Sequence, residues 1–140
     1  MINDIIKVKG RYEFFNVDTK EVKVFDNLVV QGFFTNIFKA MKNETFYLQV
    51  KDFATGSGTN AAMKSDTALQ TEYVRKAITS INYNATQCII KTTLAPIESN
   101  ITIKEVGIFD TNGGLISRAN VNIEKNASTQ YIVTYTMTIV

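Results

Sequence analysis

Residues 101–121, ITIKEVGIFDTNGGLISRANV, contain two runs of β-type residues on either side of Asn112-Gly113. This dipeptide favours a type I′ turn, because both central residues of that turn need positive φ angles, which Asn and Gly accept most readily. The stretch therefore predicts a two-stranded antiparallel hairpin near the middle of a β-sheet. The hairpin contains no recognisable set of catalytic residues.

Period-two alternation along the two arms predicts which side chains share a face of the hairpin. The predicted faces of the first arm are Val106 and Ile108 against Ile101, Ile103 and Glu105. Those of the second arm are Leu115, Ser117, Ala119 and Val121 against Ile116 and Arg118.

Glu105 and Arg118 lie on opposite arms, so the sequence predicts a cross-strand ion pair between them. If the pair lies near the surface, it contributes less than about 1 kcal/mol to stability. In the alternative, the pair is buried against Arg75 or Tyr73 and fixes how a loop meets the sheet. The sequence leaves both alternatives open.

Further strands are predicted where β-branched and aromatic residues occur with partial or full alternation. These segments are residues 5–15, 21–25, 46–50, 74–83, 86–95 and 130–140, which with the hairpin make about eight strands. The last segment alternates apolar residues with threonine, so we expect a paired antiparallel strand with one face in the core. Residues 1–25 form a predicted N-terminal hairpin. This hairpin is a candidate assembly arm, at a sheet edge or reaching a neighbouring subunit.

A single helix is predicted over residues 27–42, with Asn27 as its N-cap. Apolar residues recur at helical spacing along it, which predicts that this face packs on the sheet. They are Val30, Phe33, Phe34, Ile37, Phe38 and Met41. The predicted fold is therefore mainly β (α+β): an antiparallel β-sandwich or curled sheet with one packed α-helix. We expect one domain, residues 1–140, in which residues 26–140 form the core.

Residues 51–66, KDFATGSGTNAAMKSD, are predicted to form a long loop that contains Gly56 and Gly58. Neither the P-loop pattern nor the dinucleotide fingerprint occurs there, so no nucleotide cofactor is expected. Phe53 is the only aromatic residue of this segment, and an exposed aromatic side chain would favour glycan binding. We expect this loop and the N-terminal hairpin to contribute more to partner contacts than the helix does.

The composition excludes several kinds of chemistry. The 140 residues include no histidine and one cysteine, Cys88, which removes the Ser-His and Cys-His nucleophile pairs and nearly all zinc sites. The net charge is +2 and the lysines are scattered, so neither nucleic acid nor a membrane is an expected partner. No metal or other cofactor is expected. The remaining acid–base candidates are Asp52, Asp66, Glu72, Glu98, Glu105 and Asp110.

Two stretches resemble sequences of virion structural proteins from tailed bacteriophages. The first is similar to a D-T-A-L-x-x-E-x-x-R run, here Asp66, Thr67, Ala68, Leu69, Glu72 and Arg75. The second is similar to an E-I-G-L-F-x-x-x-G-x-L-x-x-R hairpin, here Glu105, Val106, Gly107, Ile108, Phe109, Gly114, Leu115 and Arg118. The predicted helix before them also fits. The resemblance covers about residues 25–140.

This resemblance implies a non-enzymatic structural protein of the phage tail, baseplate or tail-fibre region that acts by protein–protein assembly. Its partners would be other virion proteins, and it would form a homo-oligomer in the particle. The motif residues would then have structural roles. The alternatives are a capsid decoration or head–tail collar protein, or a receptor- or carbohydrate-binding module at a fibre tip that contacts a host-surface glycan. An enzyme such as a cell-wall hydrolase is disfavoured.

Overall fold

The computed structural model describes residues 7–140. Within this range the chain forms nine β-strands, one α-helix and one 310 turn, and the strands build a curled antiparallel sheet shaped as a half-barrel. The strands are β1 (Val8–Asn16), β2 (Val22–Val29), β3 (Val50–Gly56), β4 (Glu72–Ala77), β5 (Ser80–Tyr83), β6 (Gln87–Leu94), β7 (Thr102–Asp110), β8 (Leu115–Glu124) and β9 (Tyr131–Ile139). The helix is α1 (Gln31–Met41), and the 310 turn is Thr45–Leu48. The predicted mainly β fold with one helix is confirmed, as a curled sheet rather than a sandwich.

The order of the strands across the sheet is β4-β3-β7-β8-β2-β1-β9-β6-β5. β9 pairs with β1 on one side and with β6 on the other, which confirms the predicted pairing of the C-terminal strand. Tyr131, Val133 and Tyr135 of β9 are buried in the main core, to which both halves of the curled sheet contribute. The other buried members of the main core are Tyr12, Phe14, Phe53, Ile90, Leu94, Ile103, Val106, Ile108, Ile116, Ala119, Val121 and Ile123. Within this core the hydroxyls of Tyr12 and Ser117 share a hydrogen bond of 2.5 Å.

β1 and β2 form the predicted N-terminal hairpin, which lies within the sheet rather than at its edge. β1 pairs with β9 along its whole length, and β2 reaches β8 through Leu28 and Val29. The first residues of the predicted strand 5–15 lie outside the described residues. The division of the chain near residue 25 and the role of the hairpin as an assembly arm remain predictions.

The predicted start of the helix at Asn27 is wrong. Asn27 belongs to β2, where its side-chain amide donates a hydrogen bond to the Tyr135 hydroxyl at 3.1 Å. The helix begins at Gln31, after Val30, which supplies no side-chain cap. The Asn27 side chain is of a type that caps helices, but its amide donates to the hydroxyl of the buried Tyr135 instead. Among the described residues no helix is long and apolar enough to cross a membrane.

The prediction that the apolar face of the helix packs on the sheet is confirmed for half of that face and wrong for the other half. Val30 is buried and Phe33 packs against the main core. Phe34, Phe38 and Met41 are 38%, 67% and 80% exposed. The buried side chain of α1 is Asn36, whose amide donates a hydrogen bond to Asp110 Oδ2 at 2.9 Å. A polar contact with the β7–β8 turn thus forms part of the packed face, and the row of Phe34, Phe38 and Met41 lies outside it.

The strand predicted at residues 46–50 and the loop predicted at residues 51–66 are both misplaced. The first is mostly the 310 turn, and β3 occupies the beginning of the second, where Phe53 is buried in the main core. Small residues occur here because the strand is crowded: a Cβ at Gly56 would lie 2.7 Å from Glu105 Oε2. The true loop is residues 57–71, which we call the anchored loop.

The segment predicted as one strand, residues 74–83, forms two strands, β4 and β5, which are the first and the last in the order of strands across the sheet. β4 pairs with β3, whereas β5 pairs with β6 in the predicted hairpin across Asn84-Ala85. Between them the Ile78 N–H donates to the Lys51 carbonyl at 3.0 Å and the Thr79 N–H donates to the Lys91 carbonyl at 2.9 Å. The chain therefore changes partners at these two residues, which raises the number of strands from eight to nine.

The β7–β8 turn differs from the predicted type I′ turn, because Gly113 has a positive φ of +81° and Asn112 does not. The Asp110 carboxylate shapes the turn instead. Its Oδ1 accepts hydrogen bonds from the backbone N–H groups of Asn112 at 2.8 Å and Gly114 at 2.9 Å. This pattern is a type of longer hairpin loop in which a single residue with positive φ suffices.

Two register shifts within β7–β8 move side chains to faces that simple alternation does not predict. One lies between Ile103 and Glu105, and as a result Ile103 joins the main core. The other lies between Ile108 and Phe109. On the opposite strand, Ile116 belongs to the main core, whereas Leu115 faces away from it. A bulge leaves one residue unpaired, so the period of two breaks across it.

Candidate functional site

Glu105 on β7 is completely buried, and both of its carboxylate oxygens accept hydrogen bonds from the anchored loop. Oε2 accepts from the backbone N–H groups of Gly58 and Thr71, each at 2.7 Å, and Oε1 accepts from the Gln70 N–H at 2.8 Å. An ionised carboxylate can accept several bonds at once and brings no competing donor. Glu105 therefore fastens both ends of the anchored loop to the sheet.

Arg118 on β8 neutralises this carboxylate and extends the contact along the loop. Its Nε donates to Glu105 Oε1 at 3.1 Å and the side chain is 2% exposed. The predicted ion pair is therefore confirmed, and of its two alternative positions the surface one is wrong. One terminal nitrogen donates to Asp66 Oδ2 at 3.0 Å, and the other donates to the Asn60 carbonyl at 2.9 Å. The groups that meet the pair are thus loop groups rather than Arg75 or Tyr73.

The protonation state of Glu105 follows from two opposing effects. Burial raises its pKa, because the carboxylate loses hydration in the interior. The hydrogen bonds from Thr71, Gln70, Gly58 and Arg118 favour the charged form more strongly and hold the pKa below its usual range. Glu105 is therefore ionised at neutral pH and remains the partner of the guanidinium.

The middle of the anchored loop is held by other polar contacts. The Asn120 side chain on β8 donates to the Asn60 carbonyl at 2.9 Å and accepts from the Ala62 N–H at 2.7 Å. The Lys64 carbonyl accepts a hydrogen bond of 2.8 Å from the Gln31 N–H at the first turn of α1. The loop is consequently tied both to the sheet and to the start of the helix.

A second apolar cluster lies between the anchored loop, the start of α1 and the sheet, separate from the main core. Its members are Val30, Ala54, Leu69, Phe109 and Leu115. Gly107 lies at its floor, where a Cβ would come 2.9 Å from Leu69 Cδ2 and 3.0 Å from Leu115 Cδ1. The absence of a side chain at this position therefore lets the loop leucine reach the sheet.

The remaining motif residues surround this cluster. Arg75 on β4 places its guanidinium 3.7 Å from the centre of the Phe109 ring and pairs with Glu72 at 2.7 Å. Thr67 is exposed, and with Gly114 it lines a cleft of about 300 Å³ between α1 and the β7–β8 turn. The structure thus brings Asp66, Glu105 and Arg118 into direct contact, and it leaves Glu72 and Thr67 outside that contact.

Sequence reasoning missed several residues of the site. The side chains of Gln70 and Asn120 bond the backbone of Asn60 and so hold the loop, and Asn36 with Asp110 joins the helix to the β7–β8 turn. Side-chain amides in a chain rich in Asn and Thr give little signal, because the same residues are common on exposed surfaces. Asp110, two residues before Asn112, is the one usable signal, since Asp side chains often accept hydrogen bonds from backbone groups two residues later.

The acid–base candidates are engaged in contacts that differ from those of a paired-acid site. Asp66 and Glu105 share the guanidinium of Arg118, so a buried cation lies between them. A glycoside hydrolase instead places two carboxylates across an open sugar cleft. Glu98 pairs with Lys76 at the side of the sheet. Within residues 7–140 no group of three or more carboxylate and thiol side chains is placed to hold a metal ion.

The fold and this site together define a mainly β protein whose buried charges hold one long loop against a curled sheet. The sequence model of the family described as phage tail-collar fibre protein, N-terminal, matches residues 30–139. Because the match spans most of the chain, the protein belongs to this family. It is a structural protein of a bacteriophage tail and a component of the virion. In the two further comparisons, with curated proteins and with solved structures, nothing matches the chain.

Proposed function

We propose that the protein is a non-enzymatic component of the tail, baseplate or tail-fibre region that acts by binding other virion proteins, and that it forms a homo-oligomer in the particle. Membership of the tail-collar fibre family supports the tail over the capsid surface. The engagement of Asp66, Glu105 and Arg118 in holding a loop supports a structural rather than a catalytic use of these charges.

The observation that carries the assembly role is the exposed stripe on α1. Phe34, Phe38 and Met41 are spaced by four and three residues, so they form one row on the helix surface. Large apolar side chains that are exposed together mark interaction surfaces, because water contact with them is unfavourable until a partner covers them. The helix therefore supplies an apolar surface that assembly would bury.

A groove of about 600 Å³ adjoins the stripe and shares Phe34 with it. The groove runs between the start of β1, the end of β2 and the anchored loop, and Lys7, Lys9 and Lys64 line it together with Asp26. This basic border favours a partner surface that combines apolar and acidic side chains.

This geometry favours the helix over the anchored loop as the main assembly surface, in place of the ranking that the sequence suggested. Several polar groups of the loop are occupied by internal contacts with Glu105, Arg118 and Asn120. The glycan-binding alternative loses its support, because Phe53 is 1% exposed.

The test is to produce phage particles in which Phe38→Ser replaces the wild-type protein. We expect an unchanged unfolding midpoint, because the side chain is largely exposed, and at least about a tenfold loss of the protein from purified particles. Ile97→Ser is the matched control, since Ile97 is 83% exposed at a different place in the fold. Equal incorporation of Phe38→Ser and Ile97→Ser would contradict the helix as the assembly surface.

A further inference from the structure

The outer face of the N-terminal hairpin carries a second apolar surface, in addition to the stripe on α1. Residues directly opposite each other on paired antiparallel strands share a face, so Glu13 lies beside Val24 and Phe15 lies beside Val22. Phe14 points to the other face, where it is buried in the main core. Val22 and Val24 are 47% and 48% exposed. We call Glu13, Phe15, Val22 and Val24 the hairpin patch.

The hairpin patch and the stripe lie toward opposite ends of β2. Val22 and Val24 belong to the first half of this strand of 8 residues, and α1 begins at Gln31, shortly after the strand ends at Val29. An extended strand of this length spans roughly 25 Å. One chain therefore presents two separate apolar surfaces, one on a helix and the other on a face of the sheet.

The charges beside the two surfaces are complementary. The groove beside the stripe is lined by Lys7, Lys9 and Lys64 and by a single acidic residue, Asp26, so its border has an excess of positive charge. Within residues 7–140 the Glu13 carboxylate of the hairpin patch forms no ion pair. An apolar surface with a basic border and an apolar surface with an unpaired carboxylate suit each other as partners.

We propose that the stripe of one copy of the protein packs on the hairpin patch of a second copy, with Glu13 of the patch beside the lysines of the groove. This inference rests on the proposed assembly function and names the partner of the stripe. The contact is head-to-tail, because it joins two different surfaces of the chain.

Repetition of a head-to-tail contact about one axis closes a ring. Each copy then uses its stripe on one neighbour and its hairpin patch on the other, so the ring contains more than two copies. The ring removes both apolar surfaces of every copy from water, whereas an open row leaves one stripe and one patch uncovered at its ends. Closure of the ring therefore stabilises a defined number of copies.

Mixing two variants tests the head-to-tail contact directly. Phe38→Ser impairs the stripe, and Val22→Thr combined with Val24→Thr impairs the hairpin patch while it keeps the β-branched residues that strands favour. By sedimentation across a range of concentrations, each variant alone should associate about tenfold or more weakly than the wild type. An equal mixture restores one intact contact per pair of chains, so the two variants should bind each other about tenfold or more tightly than either binds itself. Ile97→Ser is the control and should associate as the wild type does.

Charge reversal provides a second measurement. Glu13→Lys and Lys64→Glu should each weaken association by about threefold or more, and the double variant should recover most of that loss because it restores opposite charges across the contact.

Three results would overturn the proposal: a wild type that is monomeric or only dimeric at every concentration, a mixture that associates no better than its separate variants, or a double charge reversal as weak as the single ones. Each is separate from failure of the assembly function, which the incorporation of Phe38→Ser into particles measures. If Phe38→Ser is lost from particles and the mixture does not associate, the stripe binds another virion protein and only this inference fails.

Discussion

Arg118 Nε lies 3.1 Å from Glu105 Oε1, and the two side chains are 2% and 0% exposed. A charge pair removed from water in this way stabilises a fold only when its remaining hydrogen-bonding groups are also satisfied. Here the backbone of the anchored loop supplies those partners, so the pair and the loop depend on each other. We therefore expect the anchored loop to lose its attachment to the sheet when either charge is removed.

Replacing Glu105 with Gln should destabilise the protein by about 3 kcal/mol or more, because it leaves the Arg118 charge buried and turns an amide donor toward loop N–H groups. The measurement is the free energy of unfolding in urea. Glu72→Gln is the control, since the Glu72–Arg75 pair is about one-third exposed and its loss should cost less than about 1 kcal/mol. Similar values for the two variants would show that the buried pair does not hold the fold.

Acid should weaken this contact in a predictable range of pH. The pKa of Glu105 is lower in the folded protein than in the unfolded chain, so the folded state favours the ionised form. Its contribution to stability is complete above the unfolded pKa of about 4.3, and it is lost as the pH falls through the folded value. The difference in unfolding free energy between wild type and Glu105→Gln should therefore be constant above about pH 5 and shrink in stronger acid.

Glu98 adds a second acid-sensitive contribution that both proteins share. Burial raises its pKa, but hydrogen bonds from Lys76 and the Ala95 N–H lower it further than burial raises it. Both wild type and Glu105→Gln should thus lose some stability in acid. A difference between the two proteins that stays the same from neutral pH to pH 3 would contradict the role of Glu105.

The sequence predicts the strands best where alternation is uninterrupted. The last strand, β9, matches its predicted span and faces, because it lies between two neighbours and has one face in the core. The ion pair is also predictable, since both residues lie on one hairpin. Its burial is not, because the groups that cover it come from residues 57–71, which are distant in the sequence and irregular in structure.

The errors have local physical causes. Only half of the predicted helix face is covered, because amphipathic spacing shows that a face is apolar and does not show what covers it. Phe38 and Met41, which the spacing predicts to be packed, are exposed, and Asn36 lies on the packed side of the helix. Small residues such as Gly56 indicated a loop, although here they mark a strand that passes close under other chain segments.

Gly107→Ala should cost about 1–3 kcal/mol, because its Cβ would press on Leu69 and Leu115 and lie 3.1 Å from the Ser117 carbonyl oxygen. Thermal and urea unfolding would measure the loss. Gly113→Ala provides the contrast: nothing lies within 4 Å of its Cβ, and the cost of about 1–2 kcal/mol comes from the positive φ alone. Gly113→Asn should recover part of that cost, because Asn tolerates this conformation. Adding Leu69→Ala should reduce the destabilisation that Gly107→Ala causes. Added to Gly113→Ala, it should lower stability only by the cost of Leu69→Ala itself.

Asn36→Ala should loosen α1 from the sheet, because it removes the hydrogen bond from Asn36 to Asp110 Oδ2 and leaves that buried oxygen without this donor. We expect a loss of about 1–3 kcal/mol, together with faster hydrogen exchange of the amides in α1. Thr35→Ala is the neighbouring control, since the Thr35 hydroxyl bonds the Gln31 carbonyl on the exposed side. If the apolar stripe held the helix, Phe38→Ala would be the more destabilising change. The structure predicts the opposite order, and equal exchange rates in Asn36→Ala and wild type would show that the polar contact does not fix the helix.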